Sequence, residues 1–292
     1  MNQTTTSSWR GYLELTKPGV QALLFVSCIS GMLIGSKFSP PLSIFIFGLL
    51  GISFLAASAA VINHIFDSEI DAKMNRTASR PLVKGSITEF SASVFAAALY
   101  VSGSLMLLIY VNALTWILTS LTFIFYAFIY TRYLKFMTSQ NIVIGGLAGA
   151  MPPLLGWTAV SNTIEPNAWL LVLIVMVWTP PHFWALAVYR VDDYAEAAVP
   201  MLPVQKGIAF TKQHIVLYTL LLLASTMLPY AVGMFHELYL VVALILGLGF
   251  LYFSIKLYRD DTNASAMQTF AYSISYLAAL FGAMLVDQYL YL

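Results

Sequence analysis

Long runs of apolar residues dominate the chain. A helix that crosses the roughly 30 Å hydrocarbon core of a bilayer needs about 20 such residues, because lipid offers its backbone no hydrogen-bond partner. Nine runs have this character, over residues 19–36, 44–65, 90–111, 113–130, 142–160, 168–188, 215–234, 238–257 and 266–286. The third and fourth runs are separated only by Asn112, so they could also form one long interrupted helix. The pattern predicts an all-α integral membrane protein with about nine transmembrane helices. The two longest loops, which hold acidic and basic residues, follow the second and sixth runs, and this four-span offset suggests two four-helix halves around a central cavity.

The basic residues lie on one side of this arrangement. Of the 14 Lys and Arg residues, only Lys37 falls on the opposite face. Because short loops rich in Lys and Arg stay in the cytoplasm, we expect a cytoplasmic N-terminus and, with an odd number of spans, an external C-terminus. The expected location is a bacterial inner membrane, with the polar loops and any chemistry they carry towards the cytoplasm.

Composition excludes several classes of protein. Only 9% of the residues are charged, whereas a soluble domain carries about 25% to solvate its surface. A net charge of +1 provides no basic stripe for nucleic acid. We therefore expect the lipid bilayer as a partner and no nucleic acid. The predicted organisation is a single intramembrane domain over residues 1–292, which begins with a polar cytoplasmic segment at residues 1–15.

Polar side chains gather where the second run ends. Asn63, Asp67 and Asp71 recur at intervals of four residues, which places them one turn apart on one face of a helix. Oxygen ligands in this arrangement suit Mg²⁺, which binds through one or two carboxylates together with phosphate oxygens. The spacing alone is equally compatible with a solvated helix end.

A basic row follows the acidic one. Arg76, Arg80 and Lys84 also recur at intervals of four residues. A metal site followed by cations would suit a diphosphate, and Arg binds phosphate oxygens better than Lys because it can donate two parallel hydrogen bonds. The alternative explanations are the ordinary charge bias of cytoplasmic loops and contact with anionic lipid.

Two further features lie in and after the sixth run. Asp192 and Asp193 could face the first acidic row and hold a second Mg²⁺, although a pair of aspartates in a loop is more often simply solvated. His182 follows Pro180 and Pro181 inside the run. An imidazole within a span suggests function, and the alternative is that it hydrogen-bonds a carbonyl group that the prolines leave unpaired.

Several of these segments resemble one family. The row Asn63-x-x-x-Asp67-x-x-x-Asp71 and the following residues 76–77 and 80–85 are similar to the aspartate-rich signature of the UbiA-type intramembrane prenyltransferases. Residues 141–146, 152–157, 178–187 and 200–204 resemble the branch of that family that farnesylates heme. The resemblance extends from Thr16 to about Gly207, and the second acidic motif is reduced to Asp193.

The resemblance implies an activity and residue roles. Farnesyl diphosphate would donate its prenyl chain to a vinyl group of heme B, and addition of water would give heme O and diphosphate. Mg²⁺ would be held by Asn63, Asp67, Asp71 and Asp193. The diphosphate would be bound by Arg76, Arg80, Lys84 and Lys135. His182 would lie near the heme, an aromatic wall of Tyr126, Tyr130 and Phe183 could stabilise the allylic cation, and heme O could pass to a later heme-modifying enzyme or oxidase.

Two other functions are compatible with the sequence. A prenyltransferase acting on a phenolic or quinone precursor would use similar acidic and basic rows, but residues 180–184 and the reduced second motif favour heme. A secondary transporter of heme or an isoprenoid is expected to carry charges near the bilayer midplane. Here the charges cluster at one face, which favours an enzyme that acts at the membrane rim.

Overall fold

The computed structural model describes residues 9–74 and 77–292, and over these ranges the regular secondary structure is helical throughout. Nine helices of the described chain are long and apolar enough to cross a membrane. We number them as spans one to nine: Pro18–Gly35, Leu42–Asp71, Glu89–Tyr110, Ala113–Met137, Asn141–Ser161, Pro166–Tyr189, Ile208–Ala231, Glu237–Arg259 and Ala266–Leu290. Short helices at Trp9–Leu15, Val191–Glu196 and Leu202–Lys206 complete the fold. The prediction of nine spans is confirmed.

The third and fourth spans are separate helices. The third ends at Tyr110 and the fourth begins at Ala113. Asn112 accepts a hydrogen bond from the backbone N–H of Thr115 at 2.8 Å and so caps the fourth span. Its Nδ2 donates to the carbonyl oxygen of Thr158 at 3.0 Å. The interrupted-helix alternative is therefore wrong. The Asn112 side chain caps the start of the fourth span and also binds a backbone carbonyl group of the fifth span, which holds the turn in place.

The second span is longer than the hydrophobic pattern predicts. It continues past residue 65 to Asp71, a total of 30 residues, which corresponds to about 45 Å of helix. The additional turns extend beyond the hydrocarbon thickness and contain polar residues, so the apolar run does not include them. Because the helix is continuous, the acidic row does share one face.

The first and fifth spans pack closely at the centre of the bundle. A Cβ atom on Gly31 would lie 2.0 Å from the carbonyl oxygen of Pro153, and one on Gly156 would lie 2.1 Å from that of Cys28. Small residues allow this backbone approach, which is a common basis of helix association in membranes. The fifth span is interrupted at Met151, between helices that end at Ala150 and restart at Pro152. Gly149 and Pro152, on either side of the interruption, line the cavity described below.

The fourth span changes its helical type part-way along. An α-helix over Ala113–Ile124 becomes a π-helix over Phe125–Leu134 and then returns to a short α-helical turn, Lys135–Met137. In a π-helix the hydrogen bonds run from residue i to i+5, so the side chains rotate relative to an α-helix, and such segments occur frequently at functional sites.

The N-terminal segment is partly packed. Residues 1–8 lie outside the described part of the chain, whereas Trp9–Leu15 forms a short helix. Leu15 is fully buried beside Val61 and Ile87. Residues 1–15 were expected to form a polar segment, but the helix in its second half contributes the apolar side chain of Leu15 to the bundle.

Candidate active site

The acidic row is buried on the inner face of the second span. Asn63, Asp67 and Asp71 are exposed by only 4%, 5% and 5%. Asn63 Nδ2 donates to Asp67 Oδ2 at 2.9 Å and to Thr131 Oγ1 of the fourth span at 3.1 Å. Side chains this deeply buried do not form a solvated helix end. Ionised carboxylates in such a position require compensation by nearby cations.

Two basic side chains from different segments pair with the carboxylates, and a third binds the amide of Asn63. Lys135 Nζ lies 2.8 Å from Asp67 Oδ1. Arg80 pairs through Nη1 with Asp71. Lys17, from the turn before the first span, donates to Asn63 Oδ1. The structure therefore brings the predicted Arg80 and Lys135 to the acidic row, and it adds Lys17, to which the sequence analysis gave no role at the site.

The π-helical segment joins this polar cluster to an aromatic pair. Thr131, which accepts from Asn63, donates to the carbonyl oxygen of Tyr126 at 2.8 Å. The rings of Tyr126 and Tyr130 stack with centroids 5.6 Å apart. Gly145 of the fifth span makes room for this pair, because a Cβ atom there would lie 2.3 Å from the Tyr130 ring.

A mostly apolar cavity of about 460 Å³ lies beside this cluster and meets it at Lys17 and at the pair Tyr126 and Tyr130. Its lining comes from the first, second, fourth, fifth, sixth and ninth spans, with Lys17 at the polar end. The aromatic and imidazole side chains in its wall are Tyr126, Tyr130, Phe123, Trp178, His182, Phe183 and Phe270. The predicted central cavity and aromatic wall are therefore present. A cavity with apolar walls and one charged end suits an amphipathic ligand.

His182 belongs to the wall of this cavity and is 7% exposed. Its ring stacks between Trp178 and Phe270, with centroid separations of 4.2 and 4.5 Å. Its Nδ1 lies 2.6 Å from the hydroxyl oxygen of Ser273. The alternative of a carbonyl left unpaired by the prolines is therefore not what the structure shows. Phe270 and Ser273 lie in the ninth span, where the sequence resemblance offered no guidance.

Residues 24–281 match the sequence profile of the UbiA prenyltransferase family. The chain belongs to this family. Curated relatives include the protoheme IX farnesyltransferase of Saccharophagus degradans, 52% identical over 97% of this chain and 94% of the relative. The protein of the same name from Alcanivorax borkumensis is 54% identical over the same shares of the two chains.

Solved structures share the UbiA-family fold. A structure of digeranylgeranylglyceryl phosphate synthase has a TM-score of 0.80 and 22% identity, covering 96% of this chain and 98% of its own. A UbiA homolog from Archaeoglobus fulgidus bound to GPP and Mg²⁺ has a TM-score of 0.69 and 15% identity, covering 94% and 99%. At these identities the likeness establishes the fold.

Some residues expected at the UbiA-family site lie elsewhere or are not described. Asp193 pairs with Arg190 of its own loop at 3.3 Å. Lys84 is exposed, and Arg76 lies outside the described residues. Within the described ranges, no three His, Cys, Asp or Glu side chains form a group that could share a metal ion. Asp193 is therefore not assembled with Asp67 and Asp71 into a ready-made carboxylate cage.

The donor set of this UbiA-family chain nevertheless fits Mg²⁺. Asn63, Asp67 and Asp71 present hard oxygen atoms on one buried helix face. Mg²⁺ needs only one or two protein carboxylates when phosphate oxygens and water complete its coordination. Lys135 and Arg80 balance the carboxylates in this structure, and both side chains are also suited to bind diphosphate oxygens.

Proposed function

We propose that this chain transfers the farnesyl group of farnesyl diphosphate to a vinyl group of heme B, with addition of water, to give heme O and diphosphate. The observation that carries the proposal is its identity of 52% and 54%, over nearly the whole chain, to proteins named protoheme IX farnesyltransferase. The charged end and apolar body of the cavity match the two ends of a prenyl diphosphate.

The basic side chains bind the diphosphate in this proposal. Arg80 and Lys135 lie at the acidic row, and Lys84 and Arg76 belong to the same cytoplasmic loop as Arg80. Their charge binds the diphosphate oxygens and stabilises the negative charge that develops on them. The farnesyl chain then occupies the apolar part of the cavity.

Asn63, Asp67, Asp71 and Asp193 are the proposed holders of Mg²⁺. When bound, Mg²⁺ would neutralise charge on the departing diphosphate. A UbiA homolog from Archaeoglobus fulgidus of the same fold, described as bound to GPP and Mg²⁺, supports the use of Mg²⁺. Asp193 would have to exchange its present partner Arg190 for the ion.

The proposed reaction balances in three bond changes. The bond between C1 of the farnesyl group and oxygen breaks, and its electron pair leaves with diphosphate. The π electrons of the heme vinyl group form the new C–C bond, and water adds to the resulting cation beside the porphyrin and loses a proton. Tyr126 and Tyr130 stabilise the allylic cation through their π faces, and the apolar walls exclude water before transfer.

The proposed orientation places this chemistry at the cytoplasmic face of a bacterial inner membrane. The N-terminus would be cytoplasmic and the C-terminus external, because Lys37 is the only basic residue assigned to the external loops. The heme O product remains apolar and would be handed within or beside the membrane to a later heme-modifying enzyme or oxidase.

The first test compares wild type with Asp67→Asn. Purified protein in detergent is incubated with heme B, farnesyl diphosphate and Mg²⁺, and the extracted hemes are analysed by mass spectrometry. We expect a farnesylated, hydrated heme from wild type and a loss of at least about 100-fold in rate for the variant, since a group that stabilises developing charge is removed. The matched control, Asp261→Asn, alters an exposed aspartate outside the cavity and should retain activity.

Other outcomes distinguish the alternatives. Unchanged heme together with prenylation of an aromatic acid would establish the phenolic or quinone-precursor prenyltransferase. Binding of both substrates without any release of diphosphate would favour transport and refute the proposed enzyme.

A further inference from the structure

The hydrogen bonds around His182 fix its tautomer. Ser273 Oγ lies 2.6 Å from the carbonyl oxygen of Phe270 and 2.6 Å from His182 Nδ1. A hydroxyl group has one proton to donate, and without it the contact between the two oxygen atoms would be repulsive. Ser273 therefore donates to Phe270 and accepts from His182. The imidazole proton is thus on Nδ1, and Nε2 keeps its lone pair.

The same serine also fixes the orientation of the ring. The indole N–H of Trp178 donates to the backbone oxygen of Ser273 at 2.8 Å, so one residue of the ninth span holds both Trp178 and His182. Trp178 and Phe270 cover the two faces of the imidazole. Ser273 is itself fully buried. His182 lines the cavity, and within the described residues its Nε2 has no hydrogen-bond partner and is not fully enclosed.

Nε2 is thus an unpaired basic atom in a mostly aromatic and apolar section of the cavity wall. Within the described residues, no carboxylate pairs with His182, so a proton taken up by Nε2 would leave an uncompensated buried charge. That disfavours a proton-accepting role. A neutral imidazole whose Nδ1–H is hydrogen-bonded and whose Nε2 is open is the arrangement of a histidine that ligates a transition metal.

We propose that His182 Nε2 is an axial ligand to the iron of the porphyrin substrate, and that Ser273 is a positioning residue that holds the imidazole in the ligating tautomer. This inference rests on the proposed function, because heme B brings the iron. It adds the contact by which the porphyrin is recognised, and it gives the ninth span a role in acceptor binding.

The test uses the full chain in detergent with ferric heme B and no farnesyl diphosphate, so that no turnover contributes. The absorption and electron paramagnetic resonance spectra of protein-bound heme are recorded after gel filtration. We expect a histidine-ligated spectrum for wild type. His182→Ala should lose it, and added imidazole should restore it by filling the vacated space.

The Ser273 variants separate positioning from general structure. Ser273→Ala should weaken heme affinity by about tenfold and change the spectrum, as expected when a partner of a metal-bound histidine is removed, whereas Ser273→Thr keeps a hydroxyl group and should recover the wild-type spectrum. The matched control is Ser254→Ala, a fully buried serine that pairs with Thr219 outside the cavity. Its heme spectrum should equal that of wild type.

The proposal and the function on which it rests fail differently. A His182→Ala protein that binds heme with unchanged affinity and spectrum overturns the ligand assignment, as does a wild type that makes heme O without a histidine-ligated spectrum. A wild type that neither binds heme nor farnesylates it, but prenylates an aromatic acid, overturns the proposed function as well.

Discussion

Lys135 and Asp67 form a buried ion pair at the centre of the site, with side chains exposed by 14% and 7%. Removing a charged group from water is costly, and a buried ion that loses its partner is more costly still. The two side chains therefore depend on each other in the ligand-free protein. Lys135 has a second role in the proposed reaction, because the same ammonium group would contact the diphosphate.

We predict that Lys135→Met destabilises the protein by roughly 3 kcal/mol, since it leaves the Asp67 carboxylate buried without its cation. Thermal unfolding in detergent measures the change. Arg132→Met removes an exposed cation from the same helix, where it lies over the Phe66 ring, and should cost little.

A double variant, Lys135→Met with Asp67→Asn, tests the cause of that loss. It should recover most of the stability while remaining inactive, because the uncompensated charge is gone but the proposed metal ligand is gone too. If the double variant were as unstable as Lys135→Met alone, the ion pair would not be the source of the loss.

At the scale of the helices, the fifth span separates two parts of the cavity wall. Gly145 packs against Tyr130 of the fourth span, while the neighbouring Gly146 packs against Thr179 of the sixth, where a Cβ atom would lie 2.9 Å away. The two successive glycines let one helix lie between the aromatic pair and the helix that carries His182. A larger side chain at either glycine would displace the neighbouring residue of the cavity wall.

We predict that Gly145→Ala lowers kcat/KM for farnesyl diphosphate by at least about tenfold, because the new methyl group displaces the Tyr130 ring and small displacements of positioned groups are costly. Steady-state kinetics with heme B in excess measures the effect. Gly149→Ala is the matched control, since that glycine also lines the cavity but has open space at its Cβ position. Equal loss in the two variants would contradict the prediction.

The nine spans were predictable from sequence because a bilayer requires a long apolar run for each crossing. The apolar run of the second span stopped at residue 65, since the polar residues that follow carry no apolar signal, and only the four-residue spacing of the acidic row indicated that the helix continues to Asp71. The π-helix was missed, because in the almost uniformly apolar fourth span a change of helical period alters no visible pattern. The spacing of Asn63, Asp67 and Asp71 correctly placed them on one helix face.

The partners of these residues could not be read from spacing. Lys17, Thr131 and Ser273 meet their partners across 46, 68 and 91 residues of sequence. Such contacts arise from how the spans pack, and a single sequence gives no measure of that packing. The family resemblance did suggest that Lys135 belongs to the site, and the structure places Lys135 beside Asp67. A family motif can indicate such a residue because members of a family share the same packing of spans.

At the scale of the whole molecule, the charge asymmetry and the apolar exterior make the orientation testable. Large hydrophobic side chains such as Ile109, Ile245 and Leu248 are more than half exposed on the outside of the bundle, as expected for a lipid-facing surface. The loop before the second span carries Lys37, whereas Lys73 follows that span on the opposite face. The chain also has one cysteine, Cys28, which is buried.

We predict that the cysteine of Lys37→Cys reacts with a membrane-impermeant maleimide in cells whose outer membrane is permeabilised but whose inner membrane is intact. Lys73→Cys should react only after the inner membrane is permeabilised, because positive loops remain cytoplasmic. The wild type, with only buried Cys28, should not be labelled and serves as the background. If only Lys73→Cys were labelled while the inner membrane is intact, the proposed topology would be contradicted.

The distribution of the compensating cations has a consequence for synthesis of the protein. Asp67 emerges from the ribosome 68 residues before Lys135, its ion-pair partner. At about 5–20 residues per second, this interval lasts roughly 3–14 seconds. During that time the Asp67 carboxylate lacks its partner in the folded site. The ion pair of the folded site therefore cannot form until the fourth span, which carries Lys135, has been translated.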